Sequence, residues 1–158
     1  MSTHDDLTLD DLTSIDLTLG ITHEVRNRCL CLATQRAARA IARQFDDAFR
    51  PLRLTSGQFS LLMSLNRPEP PAIGELAALL AMDRTTITAN LKPLARRRLL
   101  KIVIDKDDRR SRRLQLTEAG RALLVDAVAI WRKQNRSLER TLTQAGATRL
   151  RAELGALS

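Results

Sequence analysis

The chain has 158 residues, 44% of them hydrophobic, enough for one domain with a core of its own. The net charge of +8 is uneven: residues 1–20 hold five Asp and no Lys or Arg, which leaves +13 (26 basic minus 13 acidic) on the remainder. Two Cys, no apolar run near the ~20 residues that span a bilayer and no basic start before an apolar core argue against a disulfide scaffold, a membrane protein and a secreted one.

A reducing, cytoplasmic setting is therefore expected, with no membrane contact. Aromatics are scarce, with three Phe, one Trp and no Tyr. Leu and Ala dominate at regular spacing, which favours helices over a sandwich or barrel. A body this basic gathers polyanions, so nucleic acid is the first candidate partner and an anionic lipid surface the second.

Residues 1–20 are acidic and rich in Thr and Leu, and their Leu and Ile spacing fits neither helix nor strand. They read as a mobile arm. From Thr22 to about Phe49 the spacing is helical, through Val25, Cys29, Leu32, Ala33, Ala37, Ala40, Ile41, Phe45 and Ala48. Thr22 is the expected N-cap and Pro51 the end. A second helix starts after Thr55, with Gln58 completing a capping box and Phe59, Leu61, Leu62 and Leu65 apolar. The run Arg67-Pro-Glu-Pro-Pro71 breaks it.

Ile73–Leu80 reads as a short helix and Ala81–Met82 as a turn. Asp83 caps the next helix, with Met82 and Ile87 placed as a hydrophobic staple. Ile87, Leu91 and Leu94 share one face of that helix. Thr85, Ala89, Lys92 and Arg96 fall opposite, with Thr88 beside them. A bend is expected at Pro93. Leu100–Ile104 and Arg112–Leu116 read as paired strands around a charged turn, Asp105–Ser111. Thr117 opens a long helix whose stripe is Ala119, Leu123, Leu124, Ala127, Ile130, Trp131, Leu138 and Leu142. Thr143 caps a last helix with Ala147, Leu150, Leu154 and Leu157 inward.

Two short helices and a tight turn, followed by a basic hairpin, describe a helix–turn–helix with a wing. The second helix of such a unit enters the major groove. Its outward face is small and polar near the N-terminus and cationic further along. Thr85 and Thr88 suit base or phosphate contact, the first-turn amides suit phosphate, and Lys92 and Arg96 suit the backbone. Arginines on a narrow hairpin suit the minor groove. Enzymes are disfavoured by the lack of a Gly-rich phosphate loop, an HExxH or a Ser/His/Asp set. No cofactor or metal is expected. A non-DNA interaction module is disfavoured because the wing is arginine-rich and the recognition face is not acidic.

The stretch IGELAALLAMDRTTITANLKPLARRRLL, then DKDDRRSRRLQLTEAG, together with the upstream LTSGQFSLLMSL, resembles the multiple antibiotic resistance regulator (MarR) family of winged helix–turn–helix proteins. The likeness covers residues 25 to 142. It implies a mainly α fold with a small β wing: an arm over 1–20 and a single domain over 21–158, with the winged unit at about 52–117. It also implies a homodimer built from helices at about 22–50 and 117–157, reading a pseudopalindromic double-stranded DNA operator. By position, Arg110 corresponds to the wing-tip arginine and Asp108 to its orienting acid. Thr85, Thr86, Thr88, Asn90 and Lys92 fall where the recognition helix touches DNA. Arg84, Arg96, Arg109 and Arg112 complete the candidate interface. The family usually has Gly where Arg98 stands, so Arg98 either takes up a left-handed cap or extends the helix.

The resemblance further implies repression relieved by a small-molecule effector, such as an aromatic acid or an acyl-CoA, in a pocket beside the dimer helices. His23, Arg36, Arg39, Phe59, Met63 and Trp131 are its candidates. Cys31 corresponds to the reactive thiol of the family's hydroperoxide-sensing branch, but the tyrosines of that branch are absent. In a helix Cys29 and Cys31 lie about 200° apart and cannot bridge without unwinding. Buried structural thiols are the first reading and oxidant sensing through Cys31 the second.

Overall fold

The computed structural model describes residues 16–105 and 112–157. Among them are seven α-helices and one two-stranded antiparallel sheet. The order is α1 (Leu19–Arg28), α2 (Leu30–Phe49), a 3₁₀ turn (Arg50–Leu52), α3 (Ser56–Ser64), α4 (Ile73–Leu79), α5 (Arg84–Arg96), β1 (Leu100–Ile104), β2 (Arg112–Leu116), α6 (Glu118–Thr141) and α7 (Gln144–Gly155). The fold is therefore mainly α with a small β wing. The chain divides into two compact units, one ending at Arg39 and one beginning at Ala40.

The first unit corrects the single helix expected from Thr22. Thr18 is the cap, accepting the Ile21 N–H at 3.4 Å in extended backbone (ψ 162°), while Thr22 lies inside α1. Cys29 then interrupts the helix with ψ 108°. Its Sγ accepts the Leu32 N–H at 3.4 Å, so the thiol does for α2 what a Ser or Asp cap does elsewhere. α1 buries no residue, and Val25, expected on the apolar stripe, is 52% exposed.

The second unit holds the core. Phe49 stacks on Phe59 at 4.8 Å between ring centroids and tilts against Phe45 at 6.0 Å. Leu61, Leu62, Leu76, Ile87, Leu91, Leu94, Leu114, Leu124 and Ala127 close around them, each 5% exposed or less. Thr55 and Gln58 form the expected capping box on α3. The Asp46 carboxylate accepts the Ser56 N–H at 2.6 Å, fastening the start of α3 to α2.

Three helix ends share one closing geometry, and none uses glycine. After the turn Arg50–Leu52, after α4 and after α5, the chain passes through a left-handed residue: Arg53 (φ 52°), Ala81 (φ 49°) and Arg98 (φ 57°). In each case the next N–H reaches back five residues: Leu54 to Phe49 O (3.4 Å), Met82 to Ala77 O (2.9 Å) and Leu99 to Leu94 O (3.0 Å). This is the Schellman closure. Of the two possibilities at Arg98, the chain takes the left-handed cap. α5 runs unbroken through Pro93, and the Arg97 N–H closes on Pro93 O at 3.1 Å.

β1 and β2 pair Leu100 with Leu116, Ile102 with Leu114 and Ile104 with Arg112, as the alternation predicts. Ala72 adds an isolated bridge to Arg113, and the Leu114 N–H donates to Pro71 O at 2.9 Å. The proline-rich connector therefore lies along the edge of β2. Thr117 caps α6, accepting the Gly120 N–H at 3.0 Å, and its hydroxyl donates to Arg98 O at 2.7 Å. α7 departs from expectation. Ala147 is buried, but Leu150, Leu154 and Leu157 are 37%, 41% and 71% exposed. Among the described residues nothing covers that face completely.

Candidate nucleic-acid interface

α5 is held from beneath and capped in front. Ile87, Leu91 and Leu94 are at most 3% exposed, which turns Thr85, Thr88, Ala89, Lys92 and Arg96 outward, all of them exposed. Asp83 accepts the Thr86 N–H at 2.8 Å and the Thr86 hydroxyl at 2.7 Å. Those bonds hold its carboxyl below the usual carboxylate range. One first-turn amide expected to serve phosphate is therefore committed to Asp83.

The polar residues of the face differ in what they have left to offer. The Thr88 hydroxyl donates to Arg84 O at 2.7 Å, and Asn90, half-buried, donates from its amide to Thr86 O at 3.0 Å. Thr88 thus offers its methyl, and the Thr86 hydroxyl is committed to the Asp83 cap. Thr85, Lys92 and Arg96 stand outward without such ties among the described residues. The Arg84 guanidinium rests over α4, 3.2 Å from where a Cβ on Gly74 would sit.

At the far end of α5, Arg97 donates to Leu52 O at 3.0 Å and to Arg53 O at 2.6 Å. It braces the recognition helix on the segment after α2. The sequence reading missed this role because the acceptors are main-chain carbonyls 44 and 45 residues away. On the hairpin, Arg112 is exposed, whereas its neighbour Arg113 turns inward. The predicted contacts Asp108, Arg109 and Arg110 lie outside the described residues.

A winged helix DNA-binding domain family matches residues 54–120, from the capping box to the start of α6. The transcriptional repressor NicR of Pseudomonas putida is 34% identical over 114 residues, which are 72% of this chain and 66% of that repressor, so the match spans slightly under two thirds of its length. The solved structure of the M. tuberculosis regulator MosR in complex with DNA is 35% identical, with a TM-score of 0.75 over 82% of this chain and 93% of that one. The repressor CouR, solved on a 23-mer DNA duplex, is 28% identical, with a TM-score of 0.77 over 90% and 99% of the two chains. A MarR-family regulator from Rhodococcus shares the fold with a TM-score of 0.73. The chain belongs to the MarR family.

In this MarR-family chain the expected effector residues differ in their surroundings. His23, Arg36 and Arg39 are exposed in the first unit. Phe59 is a core residue, 9% exposed and stacked on Phe49. Trp131 is 37% exposed on α6. Met63 lines a cavity of about 630 Å³ between α3 and α6. Its other walls are Asn66, Leu116, Arg121, Leu124, Val125, Val128, Ala129 and Arg132. Arg121 donates to the Asn66 side chain at 3.2 Å across one side. The positional reading named Met63 of this wall and neither of its two arginines, Arg121 and Arg132.

Both thiols are free, and neither is fully buried. Cys29 is half-buried at the break between α1 and α2. Cys31 is exposed and accepts the Gln35 side-chain N–H at 3.1 Å. Cys29, expected in the core, is thus only half-buried, while Cys31, expected to face a partner copy, is exposed in the single chain. Among the described residues no His, Cys, Asp and Glu group could hold a metal ion, and no helix is long and apolar enough to cross a membrane.

Proposed function

We propose that this chain is a sequence-specific, DNA-binding transcriptional repressor that acts as a homodimer and leaves its operator when a small organic acid binds. It is a cytoplasmic binding protein rather than an enzyme. The observation that carries the reading is the α5 surface: a helix anchored on three buried residues that presents Thr85, Lys92 and Arg96 outward, next to a basic hairpin. The DNA-bound relatives with the same fold support it. Two copies whose recognition helices enter successive turns of one groove face require half-sites about 34 Å apart. The uncovered leucines of α7 and the exposed Val125 of α6 supply apolar surface for a second copy.

Effector release rests on the α3–α6 cavity. It is mostly apolar, with Arg121 and Arg132 at its wall, a composition suited to an aromatic or acyl carboxylate. A ligand there shifts operator affinity only by the difference in its affinity for the DNA-bound and free arrangements. A second reading, oxidant sensing through Cys31, draws support from the exposure of that thiol. Peroxide titration of operator binding separates the two. If Cys31→Ser responds like the wild type, the thiol is not the sensor.

The DNA reading is tested on a duplex that the wild-type protein selects from a random-sequence pool. Arg110→Ala should weaken binding by about 1–3 kcal/mol, and binding should weaken steeply with salt. Unchanged affinity would refute the wing assignment. A flat salt response would refute a phosphate-dominated interface.

A further inference from the structure

Arg113, a cation of the second hairpin strand, joins several elements at once. It sits on β2 opposite Val103, with its side chain 35% exposed. Its Nε donates to the carboxylate of Asp105, the residue that follows β1. Its Nη1 donates to Pro70 O at 3.0 Å, in the connector before α4. The same nitrogen lies 4.0 Å from the Glu75 carboxylate on α4, which is in turn 3.8 Å from Arg67. The Asp105 side chain is only 5% exposed. A carboxylate that buried needs a cation, and Arg113 supplies it. Beside this cluster the Ala72–Arg113 bridge and the Leu114-to-Pro71 bond tie the strand backbone to the same connector. One planar guanidinium therefore connects the turn-side ends of the two strands, the connector and α4. A lysine, with a single nitrogen, could not serve all three acceptors together.

We propose that Arg113 is a positioning residue for DNA binding: it locks the turn-side end of the wing strands onto the connector and α4, which fixes the wing arginines relative to the recognition helix, and it does not itself touch DNA. This rests on the DNA-reading assignment above. It adds a residue that a scan for exposed basic side chains would pass over or miscount as a phosphate contact. It also assigns neighbouring arginines opposite duties: Arg112 stays on the exposed side of the strand while Arg113 serves the interior.

The test is a double-mutant cycle on the selected duplex, using full-length protein. Arg113→Met alone should lower operator affinity about tenfold. In an Arg110→Ala background the same change should cost less than twofold, because a wing that no longer grips DNA gains nothing from being held in place. Arg113→Lys should recover part of the loss. Equal costs in both backgrounds, or no loss from Arg113→Met in the wild-type background, overturn the proposal. Should Arg113→Met not fold, the pair Asp105→Asn with Arg113→Gln removes both charges together and is put through the same cycle with the same criteria. A wild-type protein that selects no duplex sinks the DNA reading and this inference together. A wild type that binds tightly while the two costs multiply sinks this inference alone.

Discussion

α5 and α7 carry the same kind of apolar stripe and meet different fates. In α5, Ile87, Leu91 and Leu94 are buried to 3% exposure or less. In α7, Ala147 is buried, but Leu150 and Leu154 remain about two-fifths exposed. Helical periodicity says which residues share a face; it does not say that the same chain covers that face. The difference marks what each helix is for. α5 is anchored on three buried residues, as the proposed reading of base edges requires. α7 keeps an open apolar face, which suits a partner copy. Truncating one leucine in each helix tests this directly. Leu94→Ala should cost about 3 kcal/mol of unfolding free energy, from lost burial plus a cavity. Leu154→Ala should cost little in a dilute monomer, and its effect should grow with protein concentration if a second copy covers the face. Thermal unfolding at two concentrations reads both. Equal, concentration-independent losses would break the contrast.

The same contrast explains how far the sequence could be read. Both strand bounds and the caps Thr55, Asp83, Thr117 and Thr143 were legible because their causes are local: alternation, or a hydroxyl or carboxylate three residues from its amide. The break at Cys29 was not, since sulfur is a rare cap and the stripe runs straight across it. Arg97 and Arg113 were not, because both bond carbonyls more than 40 residues away. Their neighbours Arg96 and Arg112 look the same in sequence and stay outward. The outward face of α5 was legible as a set of residues. Which hydroxyls were already spent, those of Thr86 and Thr88, was not.

A second test bears on the joint between the wing and α6. A Cβ on Gly120 would stand 2.0 Å from Leu99 O and 2.8 Å from Leu116 Cδ1. Leu99 is in main-chain contact here, since the Thr117 N–H also donates to its carbonyl at 3.1 Å. Gly120→Ala must therefore shift α6 away from the residues that lead into β1. We expect a loss of about 2 kcal/mol and a Tm lower by roughly 6 °C, with operator affinity falling as well. A Tm within one degree of wild type would show that the helix start yields freely. The change belongs to the anchored side of the contrast, where no slack is expected.

A smaller effect is expected at the front of α5. The Asp83 carboxylate lies below its ordinary value because Thr86 bonds it twice. A depressed folded-state value means that the stabilisation is full above the unfolded value, near pH 4, and is lost as pH falls through the folded one. Asp83→Asn keeps a cap but removes the charge. Its stability relative to wild type should be lower at neutral pH, and the gap should close on acidification. A gap independent of pH would mean that the charge contributes nothing.

The smallest effect expected is at Arg98. An L-residue in the left-handed region is disfavoured by roughly 1–2 kcal/mol, because its Cβ crowds the following carbonyl. Gly relieves that crowding but gives back part of the gain through a more flexible unfolded chain. Arg98→Gly should therefore stabilise by only about 0.5 kcal/mol, roughly 2 °C in Tm. The backbone there is held from both sides: the Leu99 N–H reaches Leu94 O, and Arg98 O accepts the Thr117 hydroxyl. These bonds do not depend on the side chain, so the closure should survive the change. Ala81→Gly, at the same point of the same motif after α4, should gain a similar amount. If Arg98→Gly destabilises while Ala81→Gly stabilises, the Arg98 side chain contributes more than its left-handed backbone costs, and the exit from α5 into the wing is held by that side chain as well as by its backbone.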